Sequence, residues 1–191
     1  MEVAQKVRDW FVPISRTVTT LREANTSLNA IRLNQDDVPF LVQLVENPAF
    51  DIPLLDVFHG ATRLEVHDHL HIVLGRGLLP KDEAFVIGFT MGSTDQVGGT
   101  EEFLYGLFAK YFYPRAYRFT GDDMRVFKDA VRLGFVSDCQ SLGETDFAPY
   151  LDRPLEDVRA TLGIETPLLR AYYAIEKRRY PGSYESQRLL D

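Results

Sequence analysis

The chain has 191 residues, of which 45% are hydrophobic, and this length favours one domain with a single sizeable core. Its 28 acidic residues outnumber the 21 basic residues, giving a net charge of -7, and a surface of that sign repels the phosphates of nucleic acids. The single cysteine, Cys139, excludes an internal disulfide framework and a cysteine-rich zinc module, which indicates a reducing compartment and a small apolar role in the core.

No stretch of the sequence has the character of a membrane span. Residues 1–10 mix charged with apolar side chains and lack the apolar core and small-residue cleavage site of a secretory signal. The longest nearly uncharged stretch, residues 84–94, is far shorter than the roughly 20 apolar residues that cross a bilayer. We therefore expect a cytoplasmic protein without a transmembrane helix.

Apolar side chains recur at helical spacing along most of the chain, and most of these segments begin with a capping residue and end near glycine or proline. This pattern predicts an all-α fold, a single-domain bundle of about seven to nine helices over residues 1–191. No repeat, low-complexity run or linker divides the sequence. In chain order, the predicted helices cover residues 18–33, 36–47, 62–74, 80 onward, 100 to about 113, 120–134, 155–162 and 167–179.

The helix predicted at residues 62–74 and the helix that begins at Pro80 should form an antiparallel hairpin. Gly75 and Gly77 break the first helix, and Pro80 suits the first turn of the second, where its missing N–H is not needed. Antiparallel helices place their adjoining ends side by side. Residues late in the first helix are therefore expected to face residues early in the second.

All four histidines of the chain, His59, His67, His69 and His71, lie close together in the sequence. At about 100° per residue on a helix, His67, Asp68 and His71 share one face. Apolar side chains of the same helix point to that side, so the imidazoles are directed at the core. Buried imidazoles and a buried carboxylate require either hydrogen-bond partners or an ion.

Glu83, in the first turn of the second hairpin helix, is predicted to face His71 across the turn. Two imidazoles four residues apart and a remote carboxylate have the composition of catalytic zinc or non-haem iron sites, where water or substrate completes the shell. His67, His71 and Glu83 are therefore expected to bind a divalent metal ion, zinc or iron. Asp68 is either a further ligand or the acid that orients an imidazole, and it is the candidate catalytic residue. A buried polar network without metal is the alternative.

The other two histidines fit this site less well. His69 points away from the shared face and is expected to be exposed. His59 precedes Gly60 in a predicted loop, where a lone histidine is usually structural, although it could reach the site from there. The zinc-protease pattern His-Glu-x-x-His is absent because Asp68 occupies the acidic position. A metal-dependent phosphohydrolase with adjacent His and Asp needs histidine ligands on other helices, and no histidine lies outside residues 59–71.

The pattern His67-Asp68-x-x-His71, followed after eleven residues by Glu83, resembles the signature of the coenzyme Q biosynthesis protein 4 family. A second likeness is residues 155–164, which read Leu-Glu-Asp-Val-Arg-Ala-Thr-Leu-Gly-Ile and resemble that family's C-terminal helix and Gly-Ile ending. The resemblance implies an all-helical protein of ubiquinone biosynthesis that binds a divalent metal through the four motif residues.

The resemblance also implies a prenylated aromatic or quinone lipid as substrate, other quinone-biosynthesis proteins as partners, and peripheral contact with the inner face of a membrane. It leaves a homodimer open. The family-like core is residues 15–165, and residues 166–191, a C-terminal helix and tail, have no counterpart in it. Asp82 is a second departure, because glycine is expected there in the family. These differences bear on the substrate more than on the metal site.

Ile87, Thr90 and Met91 lie on the Glu83 face of the second hairpin helix and form an apolar wall with one hydroxyl. They could hold a prenyl tail, but packing against the core explains the same residues and is the favoured interpretation. The basic residues 177–179 could likewise touch anionic lipid head groups or complement the dipole of the last predicted helix.

Three functions remain open at this point. The first is an enzyme that replaces the ring carboxyl of a prenylated hydroxybenzoate by hydroxyl, with the metal as Lewis acid or redox centre. The second is a polyprenyl-lipid-binding scaffold of the quinone biosynthetic complex that uses the metal structurally. The third is the metal-dependent phosphohydrolase.

Overall fold

The computed structural model describes residues 2–32, 61–94 and 120–191. Within these ranges the chain forms α-helices, one 3-10 helix and no strand, so the predicted all-α fold is confirmed. The α-helices are α1 (Glu2–Asp9), α2 (Leu21–Arg32), α3 (Ala61–Leu74), α4 (Pro80–Gly92), α5 (Gly121–Val136), α6 (Leu155–Thr161), α7 (Thr166–Arg179) and α8 (Tyr184–Gln187), and the 3-10 helix is Ala148–Tyr150.

Helices α2 to α7 correspond to predicted helices, with ends shifted by no more than a few residues. The predicted helices at 36–47 and 100–113 lie outside the described residues. Two short helices, α1 and α8, were not predicted. They have eight and four residues, too few for an apolar periodicity to stand out from the surrounding sequence.

Helix α4 is the central element, because every residue from Lys81 to Gly92 is buried. It packs against α5 through three glycines: a side chain at Gly88 or Gly92 would meet backbone of α5, and one at Gly134 would meet backbone of α4. Gly88 lies against Phe127, and Gly92, one turn later in α4, lies against Val131, one turn later in α5. The two helices therefore run parallel. Despite this burial, no helix in the described ranges is long and apolar enough to cross a bilayer.

The C-terminal end of α3 is held in place by polar groups from distant parts of the chain. Gly75 has a φ of +66°, and the N–H groups of Gly75 and Arg76 donate to the carbonyls of Ile72 and His71, which closes the helix. The buried Arg159 guanidinium donates to the carbonyls of residues 72 and 73, and the Tyr173 hydroxyl donates to that of residue 74. The end of α3 is thereby fixed at the point where the chain turns toward α4.

Cys139 lies in the core, where 8% of its surface is exposed. Burial, and then the nearby charge of Glu165, raise the pKa of its thiol to about 12. The thiol therefore stays protonated at neutral pH, and the residue packs as a small apolar side chain in agreement with the sequence analysis.

Candidate metal centre

Three side chains from the α3–α4 hairpin meet in the protein interior. His67 and His71 lie one turn apart on α3, and Glu83 lies in the first turn of α4. One ligand atom from each of the three residues lies within 4.8 Å of the other two. All three residues are buried, with exposed fractions of 3%, 0% and 7% for His67, His71 and Glu83. The convergence predicted from helical spacing and the hairpin turn is therefore found.

The distances within this group suit ligands of one ion. Nε2 of His67 lies 3.4 Å from Glu83 Oε2, and Nε2 of His71 lies 3.3 Å from Oε1. Charge-assisted N–H···O hydrogen bonds are shorter, about 2.7–2.9 Å. A tetrahedral ion with ligand bonds of about 2.0–2.1 Å places adjacent ligand atoms about 3.3–3.4 Å apart. The observed separations are closer to the second value than to the first, with each imidazole facing a different oxygen of Glu83, so the residues present could hold a divalent metal.

The backbone of the hairpin turn orients the His71 ring. Nδ1 of His71 lies 2.6 Å from the carbonyl oxygen of Gly77, and a carbonyl can only accept, so Nδ1 carries the hydrogen and donates it. In the neutral ring, Nε2 then holds a lone pair that faces Glu83. Metal-binding histidines are commonly fixed in this way, with the second ring nitrogen donating to a backbone or carboxylate oxygen.

Without an ion, the three groups act on one another electrostatically. Burial raises the pKa of Glu83, but the imidazoles of His71 and His67 outweigh it and hold the pKa well below its ordinary value. Burial lowers the pKa of His71, but the charge of Glu83 outweighs it and raises the pKa above its ordinary value. The carboxylate is therefore ionised, as a metal ligand must be.

Asp68 is buried beside the group without being one of its three members. Its exposed fraction is 3%, and its charge raises the pKa of His71, less than that of Glu83 does. The three ligand-type atoms that converge come from His67, His71 and Glu83. Whether Asp68 is a fourth ligand, an orienting acid or a catalytic residue stays a prediction.

The expected exposure of His69 is wrong. Only 3% of its surface is exposed, and its ring lies against Phe147, with ring centroids 5.1 Å apart. The helical-angle argument assumed that α3 has one face in solvent. Residues 67–74 are instead all buried, and Phe147 packs on His69, on the side of the helix away from His67 and His71. His59, the other doubtful histidine, lies outside the described residues.

The three residues proposed for a prenyl tail are all in the interior. Ile87, Thr90 and Met91 have exposed fractions of 7%, 4% and 6%. The Thr90 hydroxyl is buried without a hydrogen-bond partner among residues 2–32, 61–94 and 120–191, whereas the Thr94 hydroxyl donates to the carbonyl of residue 91. A buried hydroxyl without a partner is unfavourable, and contact of Thr90 with a bound lipid stays a prediction.

The basic end of α7 is engaged within the protein. Lys177 Nζ lies 3.6 Å from Asp191, and Arg179 lies 2.6 Å from Asp129. These partners, together with the position of the cations in the last turn of the helix, account for Lys177 and Arg179 without a membrane surface.

Two features beside the site were not found by sequence reasoning. The carbonyl of Gly77 had no signal, because any residue supplies a carbonyl. Asp82 and Arg188 form a buried ion pair of 2.8 Å next to the site, and they are 106 positions apart. The unusual acid before Glu83 was the available hint of this pair, but nothing in the sequence identified its partner.

Comparisons of the chain with protein-family models, with curated proteins and with solved structures find no match.

Proposed function

We propose that this protein binds one divalent metal ion through His67, His71 and Glu83 and acts in ubiquinone biosynthesis on the head group of a prenylated hydroxybenzoate. The observation that supports the metal is the 3.3–3.4 Å separation of the Glu83 oxygens from the two imidazole nitrogens. The substrate class is supported by the likeness of the His-Asp-x-x-His and remote Glu pattern to the signature of the coenzyme Q biosynthesis protein 4 family.

The proposed reaction is an oxidative decarboxylation with dioxygen as the oxidant. The bond between the ring and its carboxyl carbon breaks, a bond from the ring to oxygen forms, and carbon dioxide leaves. Two hydroxybenzoates and one dioxygen give two phenols and two molecules of carbon dioxide, which balances atoms and electrons. When bound, the ion supplies a Lewis acid or redox centre with an open position.

The chain's own residues supply the surroundings of this chemistry. Glu83 and the two imidazoles carry the charge that holds the cation, and Gly77 fixes the His71 ring so that Nε2 faces it. Their burial excludes water, which strengthens electrostatic interactions in the site. The Thr90 hydroxyl, on the Glu83 face of α4, is the group of this wall that can hydrogen-bond a polar part of the substrate.

Replacing His71 by Ala in cells that depend on this protein is expected to lower bound metal and ubiquinone content together. His69→Ala is the matched control, because it removes a buried imidazole from the same helix without removing a member of the converging group. Protein level and ubiquinone are measured in both strains, and metal in the purified proteins. A normal ubiquinone content in the His71→Ala strain, with no metal bound to the purified variant protein, would contradict a catalytic metal.

A second candidate function is a scaffold that binds a polyprenyl lipid, and the observation that favours it is Thr90 flanked by two buried apolar residues. Mass spectrometry of lipid extracted from a native preparation distinguishes the two. A prenylated lipid without turnover, retained in the His71→Ala protein, favours the scaffold. Conversion of a prenylated hydroxybenzoate by the metal-loaded protein favours the enzyme.

Replacing Thr90 by Val is expected to stabilise the lipid-free protein and to weaken binding of a prenylated phenol. The substitution removes a hydroxyl that has no partner in the described structure. Its removal should raise the free energy of unfolding by about 1 kcal/mol and the melting temperature by about 2–4 °C. Thermal unfolding and lipid binding are measured with Thr94→Val as control, where an existing hydrogen bond is lost. A lower melting temperature with unchanged lipid binding would remove Thr90 from the proposed wall.

A further inference from the structure

Two arginines and two acids form a buried network between the hairpin and the C-terminal segment. Arg76, in the hairpin turn, binds Glu176 of α7 through two hydrogen bonds of 3.1 and 2.6 Å. Arg188, just after α8, binds Asp82 of α4 through Nη2 at 2.8 Å. Arg76 also lies 3.8 Å from Asp82, so opposite charges alternate and the network is neutral.

Arg188 is itself fixed from several sides. Its Nη1 donates to the carbonyl of Arg8 at 2.8 Å, and its guanidinium lies over the rings of Phe11 and Tyr184, at 4.9 and 5.1 Å from their centroids. Only 8% of its surface is exposed. The guanidinium therefore lies in the interior with contacts on several sides.

This guanidinium lies against the part of the hairpin turn that orients a metal ligand. A side chain at Gly77 would collide with Arg188 Nη2 and would come within 2.9 Å of Asp82 Oδ2. The carbonyl of the same Gly77 accepts the hydrogen bond from His71 Nδ1. The backbone that sets the His71 ring is thus packed directly on the ion pair of Asp82 and Arg188.

Asp82 connects the same ion pair to the other ligand helix. It is the neighbour of Glu83, and its Oδ2 accepts a hydrogen bond of 3.4 Å from the N–H of Leu79 at the start of α4. The N–H of Glu83 in turn donates to the Leu79 carbonyl at 2.9 Å. A shift of the Asp82 carboxylate would therefore move the first turn of α4, which carries Glu83.

We propose that Arg188 is a positioning residue for the metal centre, which holds Gly77 and Asp82 so that His71 and Glu83 face one ion. The inference rests on the proposed metal binding and adds the C-terminal tail to the parts of the chain that the site needs. Arg188 is not a member of the group of three ligand-type residues. Its effect passes through the carbonyl of Gly77 and the start of α4.

The test measures affinity for Zn²⁺ by competition with a chromogenic chelator, and the visible spectrum of the Co²⁺-loaded protein. Arg188→Met is expected to weaken Zn²⁺ binding about tenfold, the lower end of the loss known for groups that orient metal ligands. The Co²⁺ spectrum should change in band position or intensity, since it reports ligand geometry. Arg188→Lys keeps the charge and should recover part of the affinity.

Tyr184→Phe is the control for loosening of the tail. It removes the hydrogen bond of 2.9 Å from Tyr184 to Asp9 and leaves the contacts of Arg188 with Asp82 and Gly77 in place. Zn²⁺ affinity and the Co²⁺ spectrum should stay unchanged in this variant even if the melting temperature falls. An equal loss of affinity in Tyr184→Phe and Arg188→Met would mean general destabilisation and would overturn the proposal.

Gly77→Ala tests the contact between Gly77 and the Arg188 guanidinium by changing Gly77 instead of Arg188. It tests the positioning role even if Arg188→Met does not fold. The added methyl displaces the guanidinium, so Zn²⁺ affinity should fall and the Co²⁺ spectrum should change. In a foldable double variant with Arg188→Met, the added loss should be smaller than in the parent protein. Unchanged affinity in both single variants overturns the positioning role alone. Failure of the unaltered protein to bind Zn²⁺ or Co²⁺ overturns the proposed metal centre itself.

Discussion

Replacing Glu83 by Gln is expected to abolish tight binding of one divalent metal ion by the purified protein. The amide keeps the size of the carboxylate and loses its charge, and Glu83 is the acidic member of the group of three. Loss of an orienting group alone weakens metal binding about 10–100-fold, so loss of a direct ligand should exceed about 100-fold. The measurement is a Zn²⁺ or Co²⁺ titration of the metal-free protein.

The same variant should lose the stabilisation that metal gives the folded state. A ligand at about 100 times its dissociation constant stabilises by about 2.7 kcal/mol, or roughly 5–11 °C of melting temperature in a chain of this size. The parent protein should show this shift on adding metal. At the same metal concentration, a loss of affinity of more than about 100-fold should leave Glu83→Gln with a shift below about 2 °C.

Glu156→Gln is the matched control for Glu83→Gln. Glu156 is exposed in the first turn of α6, as Glu83 is buried in the first turn of α4, so both changes remove an acid from the positive end of a helix. Only the change at Glu83 should alter metal binding. One equivalent of metal bound with equal affinity by both variants would contradict the site.

The location of the site could be predicted because its parts follow local rules. His67 and His71 are one helical turn apart, and Gly75 with Pro80 fixes where the chain reverses between the two helices. In a hairpin with a short turn the adjoining ends of the two helices lie side by side, which places Glu83 beside His71. Helical spacing and the residues of the turn were therefore enough to predict the convergence of these side chains that the structure shows.

The surroundings of the site could not be predicted, because they depend on contacts between distant segments. His69 is buried by the chain around Phe147, and the charged residues at the start of α4 are buried by α5 and the C-terminal segment. Helical periodicity predicts which faces are buried from their apolar side chains. The prediction is therefore wrong where polar side chains are buried as pairs.

The two departures from the family resemblance meet in the structure. From the resemblance stated in the sequence analysis, glycine was expected at position 82 and no counterpart was expected for residues 166–191. Arg188, from that added segment, binds Asp82. An acid buried in the first turn of α4 requires a cation, and the C-terminal segment brings one. The sequence displayed both features without indicating that one compensates for the other.

Replacing Glu176 by Gln is expected to destabilise the protein strongly, by about 3–5 kcal/mol, because it leaves the buried Arg76 guanidinium without its bidentate partner. Both side chains are fully buried. In the parent protein burial lowers the pKa of Arg76, but the charge of Glu176 outweighs it and keeps the pKa above its ordinary value. The variant loses this support, yet a guanidinium is not deprotonated in proteins, so a buried cation without its partner remains. Thermal and urea unfolding measure the loss of stability, and the melting temperature is expected to fall by roughly 6–20 °C.

Asp152→Asn is the control that separates burial from geometry. Asp152 also binds an arginine through two hydrogen bonds, of 2.6 and 2.9 Å to Arg22, but the two side chains are 78% and 55% exposed. An exposed pair contributes about 0.2–1 kcal/mol, so this variant should unfold within a few degrees of the parent protein.

Replacing both Arg76 and Glu176 by apolar residues extends the same argument. In Arg76→Met with Glu176→Leu no unpaired charge is left at this position, so part of the stability lost in Glu176→Gln should return. The methionine still fits between the rings of Phe85 and Tyr173, which now flank the guanidinium at 3.8 and 4.4 Å. Equal instability of the single and double variants would show that the network stabilises the fold by more than neutralising its own charges.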